Sequence, residues 1–144
     1  MFIKQLSVFI ENKEGRLGEV LDVLKKEQVS VISLSLADTS EYGLLRMITN
    51  NPQAGQAALK ENGFSAMLSD VLAVKLSHHV GSLQEILSHV CAAGLNVEYM
   101  YALSNKEDDA SIICKISNGD QAAELLKSKD VKLYGQEDIT RIFR

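Results

Sequence analysis

The 144-residue sequence contains one proline, no tryptophan and two cysteines, and these low counts argue against several structural classes of protein. With a single proline, 46% hydrophobic residues and 24% charged residues, the composition suits a compact core and argues against a disordered chain. Cys91 and Cys114 lie far apart in apolar surroundings, without the spacing of a metal site or of a disulfide framework. We therefore expect two buried free thiols and no metal.

The sequence also lacks any strong excess of one charge. The net charge is −4, with 7 Lys+Arg against 9 Asp+Glu in residues 1–70 and 8 against 10 in residues 71–144, so each half carries −2. Without a basic tract we expect neither a nucleic-acid partner nor a membrane partner. Charged residues interrupt residues 1–13, so the apolar stretch there is too short for a signal peptide or a membrane span. This predicts a cytoplasmic protein.

What the sequence does contain is an internal repeat. A shift of 66 residues superposes seven identical pairs within positions 6–31. These pairs are Leu6/Leu72, Val8/Val74, Gly15/Gly81, Leu17/Leu83, Glu19/Glu85, Leu21/Leu87 and Val31/Val97. Internal duplication explains this match, and it predicts one unit over residues 1–69 and another over residues 70–144, the second ending in a short tail.

Each unit has the pattern of strand, helix, strand, strand, helix and strand. Alternating apolar residues open each unit as a strand, and apolar residues at helical spacing predict first helices near 15–28 and 81–93. Asn51-Pro52 starts the second helix of unit one, whose counterpart covers 120–127. The further predicted strands are 29–37, 44–48 and 64–68, then 95–103, 110–116 and 131–134. The tail at 139–143 fits either a short helix or an extra strand.

This order of elements is the split βαβ, or ferredoxin-like, arrangement. Its fold class is α+β, here two βαββαβ units in tandem with antiparallel sheets and helices on one face. In each unit a glycine, Gly15 or Gly81, lies between the first strand and the first helix. The first N–H groups of such a helix lack intrahelical partners and attract anions, so each turn is either a carboxylate-binding site or simply a turn that needs glycine.

Two segments accompany each glycine turn. In the first unit they are 11–17, Glu-Asn-Lys-Glu-Gly-Arg-Leu, and 28–32, Gln-Val-Ser-Val-Ile, and in the second they are 77–83, Ser-His-His-Val-Gly-Ser-Leu, and Gly94 to Val97. These segments resemble a known family, the ACT domain. The resemblance implies a tandem ACT-domain protein, two βαββαβ modules that bind a free amino acid at the interface between modules. ACT domains commonly have proline before the loop glycine, whereas this chain has Glu14 and Val80.

Carried over by position, the resemblance assigns ligand-binding residues in both copies. The polar loop residue, the loop glycine and the polar residue before the second strand are Asn12, Gly15 and Ser30 in the first copy. In the second copy they are His78, Gly81 and Asn96. The complete candidate set is Asn12, Lys13, Glu14, Gly15, Arg16, Leu17, Ser30, Val31, His78, His79, Val80, Gly81, Ser82, Leu83, Asn96 and Val97.

The leading hypothesis is a regulatory protein that senses an amino acid at the glycine turns and at the interface between units. The resemblance implies partners of two kinds, a second copy in a homo-oligomer (dimer) or a regulated metabolic enzyme. The alternative is a small enzyme of amino-acid metabolism, since ferredoxin-like folds also host catalysis. We find no catalytic constellation and no cofactor fingerprint in the sequence, and we therefore predict no enzyme activity and no cofactor.

Overall fold

The computed structural model describes residues 2–38, 41–77, 79–103 and 110–142, and the chain divides into two units. One unit is Lys4–Ser69, and the other is Asp70–Arg144 together with Met1–Ile3. The division falls inside one strand, between Ser69 and Asp70. His78, which the sequence suggested as a ligand contact, lies outside the described residues.

The Lys4–Ser69 unit has the βαββαβ order that its sequence pattern predicts. Its elements are β1 (Ile3–Glu11), α1 (Arg16–Lys26), β2 (Val31–Asp38), β3 (Tyr42–Thr49), α2 (Pro52–Glu61) and the first part of β4 (Ser65–Lys75). The strand order in the sheet is β2-β3-β1-β4, and β3 runs antiparallel to both β1 and β2. Leu6, Val8 and Ile10 alternate along β1 and are buried against Val20 and Leu24 of α1.

The second unit repeats this arrangement around the second part of β4. Its elements are α3 (Ser82–Ala92), β5 (Val97–Ala102), β6 (Ser111–Ile116), α4 (Gly119–Ser128), β7 (Leu133–Tyr134) and α5 (Gln136–Ile142). The strand order is β5-β6-β4-β7, with each neighbouring pair antiparallel. Leu72 and Val74 of β4 pack with Ile86 and Val90 of α3, so both copies build their core from equivalent positions.

The structure confirms the predicted fold class and changes three details. The predicted strand 64–68 and the strand that opens the second unit were expected to be separate, but no turn interrupts them and they form the single strand β4. The tail, which fitted a helix or a strand, forms the helix α5. Cys114 is buried, but the expectation that Cys91 is buried as well is wrong, because this residue lies one position beyond the apolar stripe of α3 and is exposed.

Within the part of the chain that the structure describes, no helix is long and apolar enough to cross a membrane.

Candidate functional site

The two glycine turns have the same backbone conformation. Gly15 and Gly81 are the N-cap residues immediately before α1 and α3, and both have a left-handed backbone, with φ of 86° and 90°. A Cβ atom at either position would meet no atom within 4 Å, so conformation rather than space favours glycine there. Leu17 and Leu83, in the first turn of each helix, pack against the core of their own unit and hold the turns in place.

The helices that begin at these turns differ from the second helix of each unit in how their N-termini are satisfied. Asn51 Oδ1 accepts a hydrogen bond from the N–H of Ala54 at 3.2 Å and caps α2. Asn118 Oδ1 accepts from the N–H of Gln121 at 3.3 Å and caps α4. No described side chain caps α1 or α3. The first N–H of each helix, at Arg16 or Ser82, donates to the carbonyl of Lys13 or His79 at 3.3 Å. The next N–H groups of each helix have no acceptor within the helix, and the positive end of the helix lies at its glycine turn.

The predicted residues of the first turn lie together and are open to solvent. Asn12, Lys13, Glu14 and Gly15 are all exposed. The Asn12 N–H donates to the Glu41 carbonyl at 3.0 Å, which ties the turn to the β2–β3 hairpin. Lys13 Nζ lies 3.0 Å from Glu11 Oε2, and its hydrogen bond and charge lower the pKa of Glu11. The carboxylate of Glu11 thus stays charged beside the turn.

The second turn has different side chains on the same backbone. His79 Nε2 lies 3.3 Å from Glu85 Oε2, and Val80 is fully exposed where the first turn has Glu14. Ser82 is buried, and its Oγ accepts a hydrogen bond from the Ser77 N–H at 3.1 Å. The side-chain surroundings of the two turns have therefore diverged, although the backbone has not.

The structure places the remaining predicted residues at the other end of each sheet. Glu11 pairs with Tyr42 at one end of β3 and Val31 with Thr49 at the other, about 23 Å apart at the usual rise per residue. The Ser30 N–H donates to Asn50 Oδ1 at 2.8 Å, just beyond that far end. Asn96 is placed in the same way, and its N–H donates to Ser117 Oγ at 2.9 Å. Ser30 and Asn96 therefore cannot reach a ligand at the glycine turn of their own unit.

Next to each turn lies a cleft that sequence reasoning missed. The cleft of the first unit, about 200 Å³, is lined by Phe9, Ile10, Glu11, Arg16, Tyr42, Gly63, Phe64 and Ser65. The cleft of the second unit, about 270 Å³, is lined by Lys75, Ser77, Ser82, Glu85, Ile86, His89, Lys129, Asp130, Val131 and Lys132. Both lie between the end of one strand, the first turn of one helix and the turn after the other helix. We call them the Arg16 cleft and the lysine cleft.

Extending the repeat would have revealed the correspondence of the two clefts. The shift between equivalent residues is 66 up to Val31/Val97 and becomes 67 at the capping pair Asn51/Asn118. With that correction six lining positions coincide. They are Phe9/Lys75, Glu11/Ser77, Arg16/Ser82, Gly63/Asp130, Phe64/Val131 and Ser65/Lys132.

No group of three or more His, Cys, Asp or Glu side chains within the described ranges is arranged to hold a metal ion.

The two βαββαβ units, each with a glycine turn before its first helix, place the chain in a class of tandem-repeat proteins. Comparison with models of protein families identifies the family. The family model of the ACT domain pair matches residues 1–143, and the chain belongs to this family. No curated protein matches the sequence.

Among solved structures, protein BT0572 from Bacteroides thetaiotaomicron is similar along the whole chain. It is 37% identical with a TM-score of 0.91, over 99% of this chain and 98% of that one. The regulatory subunit of aspartate kinase from Thermus thermophilus, in its ligand-free form, is 18% identical with a TM-score of 0.60, over 87% and 91% of the two chains. The corresponding subunit from Thermus flavus is 17% identical with a TM-score of 0.59, over 87% and 90%. These two likenesses show the fold.

Proposed function

We propose that this chain is a regulatory protein that binds a free amino acid at the glycine turns around Gly15 and Gly81. The observation that carries the proposal is the contrast between the helices of each unit. Asn51 and Asn118 cap the second helices, whereas the first helices begin at a left-handed glycine without a described side-chain cap. A carboxylate at the turn would accept from the N–H groups that a cap would otherwise satisfy.

The ammonium group of the same ligand needs oxygen acceptors. At the first turn the exposed Asn12 side chain and the Glu11 carboxylate, whose pKa Lys13 lowers, are suitable partners. Ser30 and Asn96 lie at the far end of their own sheets, so they can contribute only to a ligand held by a different module. A second copy of the chain is one source of such a module, and a homo-oligomer is therefore part of the proposal.

Membership of the ACT domain pair family supports a regulatory role. The two Thermus proteins with this fold are themselves regulatory subunits of an enzyme, aspartate kinase. By analogy, we propose that amino-acid binding changes the association of this chain with a metabolic enzyme or with a second copy of itself.

The test begins with a thermal-shift screen of the free amino acids, followed by calorimetry with any that stabilises the protein. A ligand that binds only the folded state must raise its melting temperature. We expect Gly15→Leu and Gly81→Leu each to abolish binding at its own turn, because leucine disfavours the left-handed backbone and covers the helix N-terminus.

Gly15→Ala and Gly81→Ala are the matched controls. Alanine carries the same left-handed backbone strain, about 1 kcal/mol, and its Cβ would meet no atom within 4 Å, so it leaves the helix N-terminus uncovered. If neither leucine variant binds less than its alanine control, the glycine turns are not the sites. If the bound amino acid is consumed during prolonged incubation, the chain is an enzyme and the proposal fails.

A further inference from the structure

The strand β2, at one end of the first sheet, carries exposed leucines that the function proposed above does not use. It stands at the end of the strand order β2-β3-β1-β4. An end strand directs one row of backbone N–H and C=O groups away from its sheet, which makes it a template for another chain. Leu34 and Leu36 on this strand are each 45% exposed. We propose that β2 pairs antiparallel with β2 of a second copy of the chain, around a two-fold axis at Ser35.

The first argument is that this edge has no protection against pairing. End strands that stay unpaired usually carry charged residues or proline. From Ser30 to Ala37 the sequence has neither. Leu34 and Leu36 pair with core residues of β3, so both lie on the helix-covered face of the sheet, at its open edge. The β2 edge therefore combines backbone groups that can pair with apolar side chains that gain from being covered.

The second argument is that the strand is complementary to itself. Around a two-fold axis, each residue lies opposite one that is equally far beyond the axis. With the axis at Ser35, Leu34 lies opposite the partner's Leu36, and Leu36 lies opposite the partner's Leu34. The bulge between Val31 and Ser33 falls outside this regular stretch. The leucines of the two copies then shield one another on one face of the joined sheet.

The third argument is the comparison with β5, which occupies the equivalent edge of the second sheet. Glu98 of β5 is exposed and places a carboxylate on that edge, and Met100 is half-buried. The β5 edge thus has the charge that discourages pairing and lacks the exposed leucines that favour it. At the positions of Ile32, Leu34 and Leu36 it has Glu98, Met100 and Ala102.

Pairing of the β2 strands has a consequence for Ser30. Ser30 precedes β2 at the end far from the glycine turn of its own unit. In an antiparallel pair the start of one β2 lies beside the end of the other, where the Asn12 N–H holds the hairpin through the Glu41 carbonyl at 3.0 Å. Ser30 of one copy thus comes to the end of the joined sheet that carries the partner's Gly15 turn. The pairing surface stands without amino-acid binding, whereas this consequence rests on the function proposed above.

The first experiment measures association of the full chain by sedimentation velocity at submillimolar concentration, without an amino acid. We expect a dimer. Leu34→Lys should raise its dissociation constant at least about tenfold, because the two-fold axis places the new ammonium group in the apolar contact twice. Met67→Lys is the matched control, since Met67 is 48% exposed on β4 and receives the same charge. A monomeric wild type overturns the proposal, as does equal weakening by both variants when circular dichroism shows them folded.

The second experiment tests the register by disulfide formation in a Cys91→Ser background. In the proposed pair the two Ser35 Cα atoms lie about 4.5–5.5 Å apart, within disulfide range. With oxidised glutathione as the oxidant, we expect Ser35→Cys to form an intermolecular disulfide, seen as a doubled mass in nonreducing electrophoresis. Tyr101→Cys, at the equivalent position of β5, is the matched control and should stay uncrosslinked.

Absence of the crosslink in Ser35→Cys, or an equal crosslink in Tyr101→Cys, overturns the proposed pairing. Both experiments are made without an amino acid, so they can succeed even if the glycine turns bind none. Conversely, amino-acid binding by a wild type that shows no β2 pairing would disprove this interface and leave the function proposed above standing.

Discussion

The Arg16 cleft and the lysine cleft are built on the same backbone and filled in opposite ways. In the first unit an arginine and a phenylalanine of the chain lie against each other, whereas in the second a serine and a valine leave the space open and lysines line it. The core positions beneath them have kept their apolar character. Duplication thus preserved what the fold requires and allowed the rim residues, which the fold does not require, to diverge.

The largest expected effect on stability comes from Phe64, which is compared with Val131, its equivalent in the lining of the second cleft. Phe64 is 7% exposed within the first core, whereas Val131 is partly buried at the edge of the second. We expect Phe64→Ala to lower the free energy of unfolding by about 3 kcal/mol and Val131→Ala by about 1 kcal/mol, since the former leaves a larger cavity. Urea unfolding followed by circular dichroism measures both. Equal losses would mean that the two residues are equally important to their cores.

The capping asparagines sharpen the contrast between capped and uncapped helices. Asn51 has an ordinary φ, so Asn51→Ala removes only the side-chain acceptor of the cap. It should lower the free energy of unfolding by about 1 kcal/mol. Asn118 has φ of 52°, so Asn118→Ala loses the cap and also forces alanine into the left-handed region, for a total of about 2 kcal/mol. Thermal and urea unfolding check the order, and Asn118→Gly, which removes the strain, should recover part of the loss. No recovery would argue against the strain component.

The two thiols provide the comparison with the smallest expected effect on stability. Burial raises the pKa of Cys114 to about 12, whereas Cys91 is exposed on α3. At pH 8 we expect iodoacetamide to label Cys91 and to label Cys114 at least about a hundredfold more slowly, since the thiolate is the reactive form. Mass spectrometry of the wild type and of Cys91→Ser resolves the two rates. Rapid labelling of the variant would show that the second core opens readily.

The raised pKa of Cys114 also predicts a pH dependence. The folded thiol ionises near pH 12, while the unfolded thiol ionises at its ordinary value near 9. Stability from this group is therefore complete below pH 9 and decreases as the pH rises towards 12. Cys114→Ala should lose less stability than the wild type over that interval, which paired urea titrations at pH 8 and pH 10.5 can measure.

Most of the fold could be predicted from local patterns, and the candidate site only in part. Gly15 and Gly81 were found because a turn between a strand and a helix selects glycine by its φ, which is a local requirement. The placement of Ser30 far from Asn12 depends on the direction and register of β3, and no local signal reports either. The lysine cleft was missed because its residues come from three separate segments, at a repeat shift that changes by one after the hairpin.

The sequence by itself therefore determined the duplicated βαββαβ units, their cores and the glycine turns, because hydrophobic periodicity and backbone preference act over a few neighbouring residues. Only the tertiary structure decided that 65–75 forms one strand, that Cys91 is exposed, and that Lys75 and Lys132 line one cleft. Those features depend on which distant segments meet when the chain folds. Contacts of that kind are set by packing and strand register, which no single stretch of sequence records.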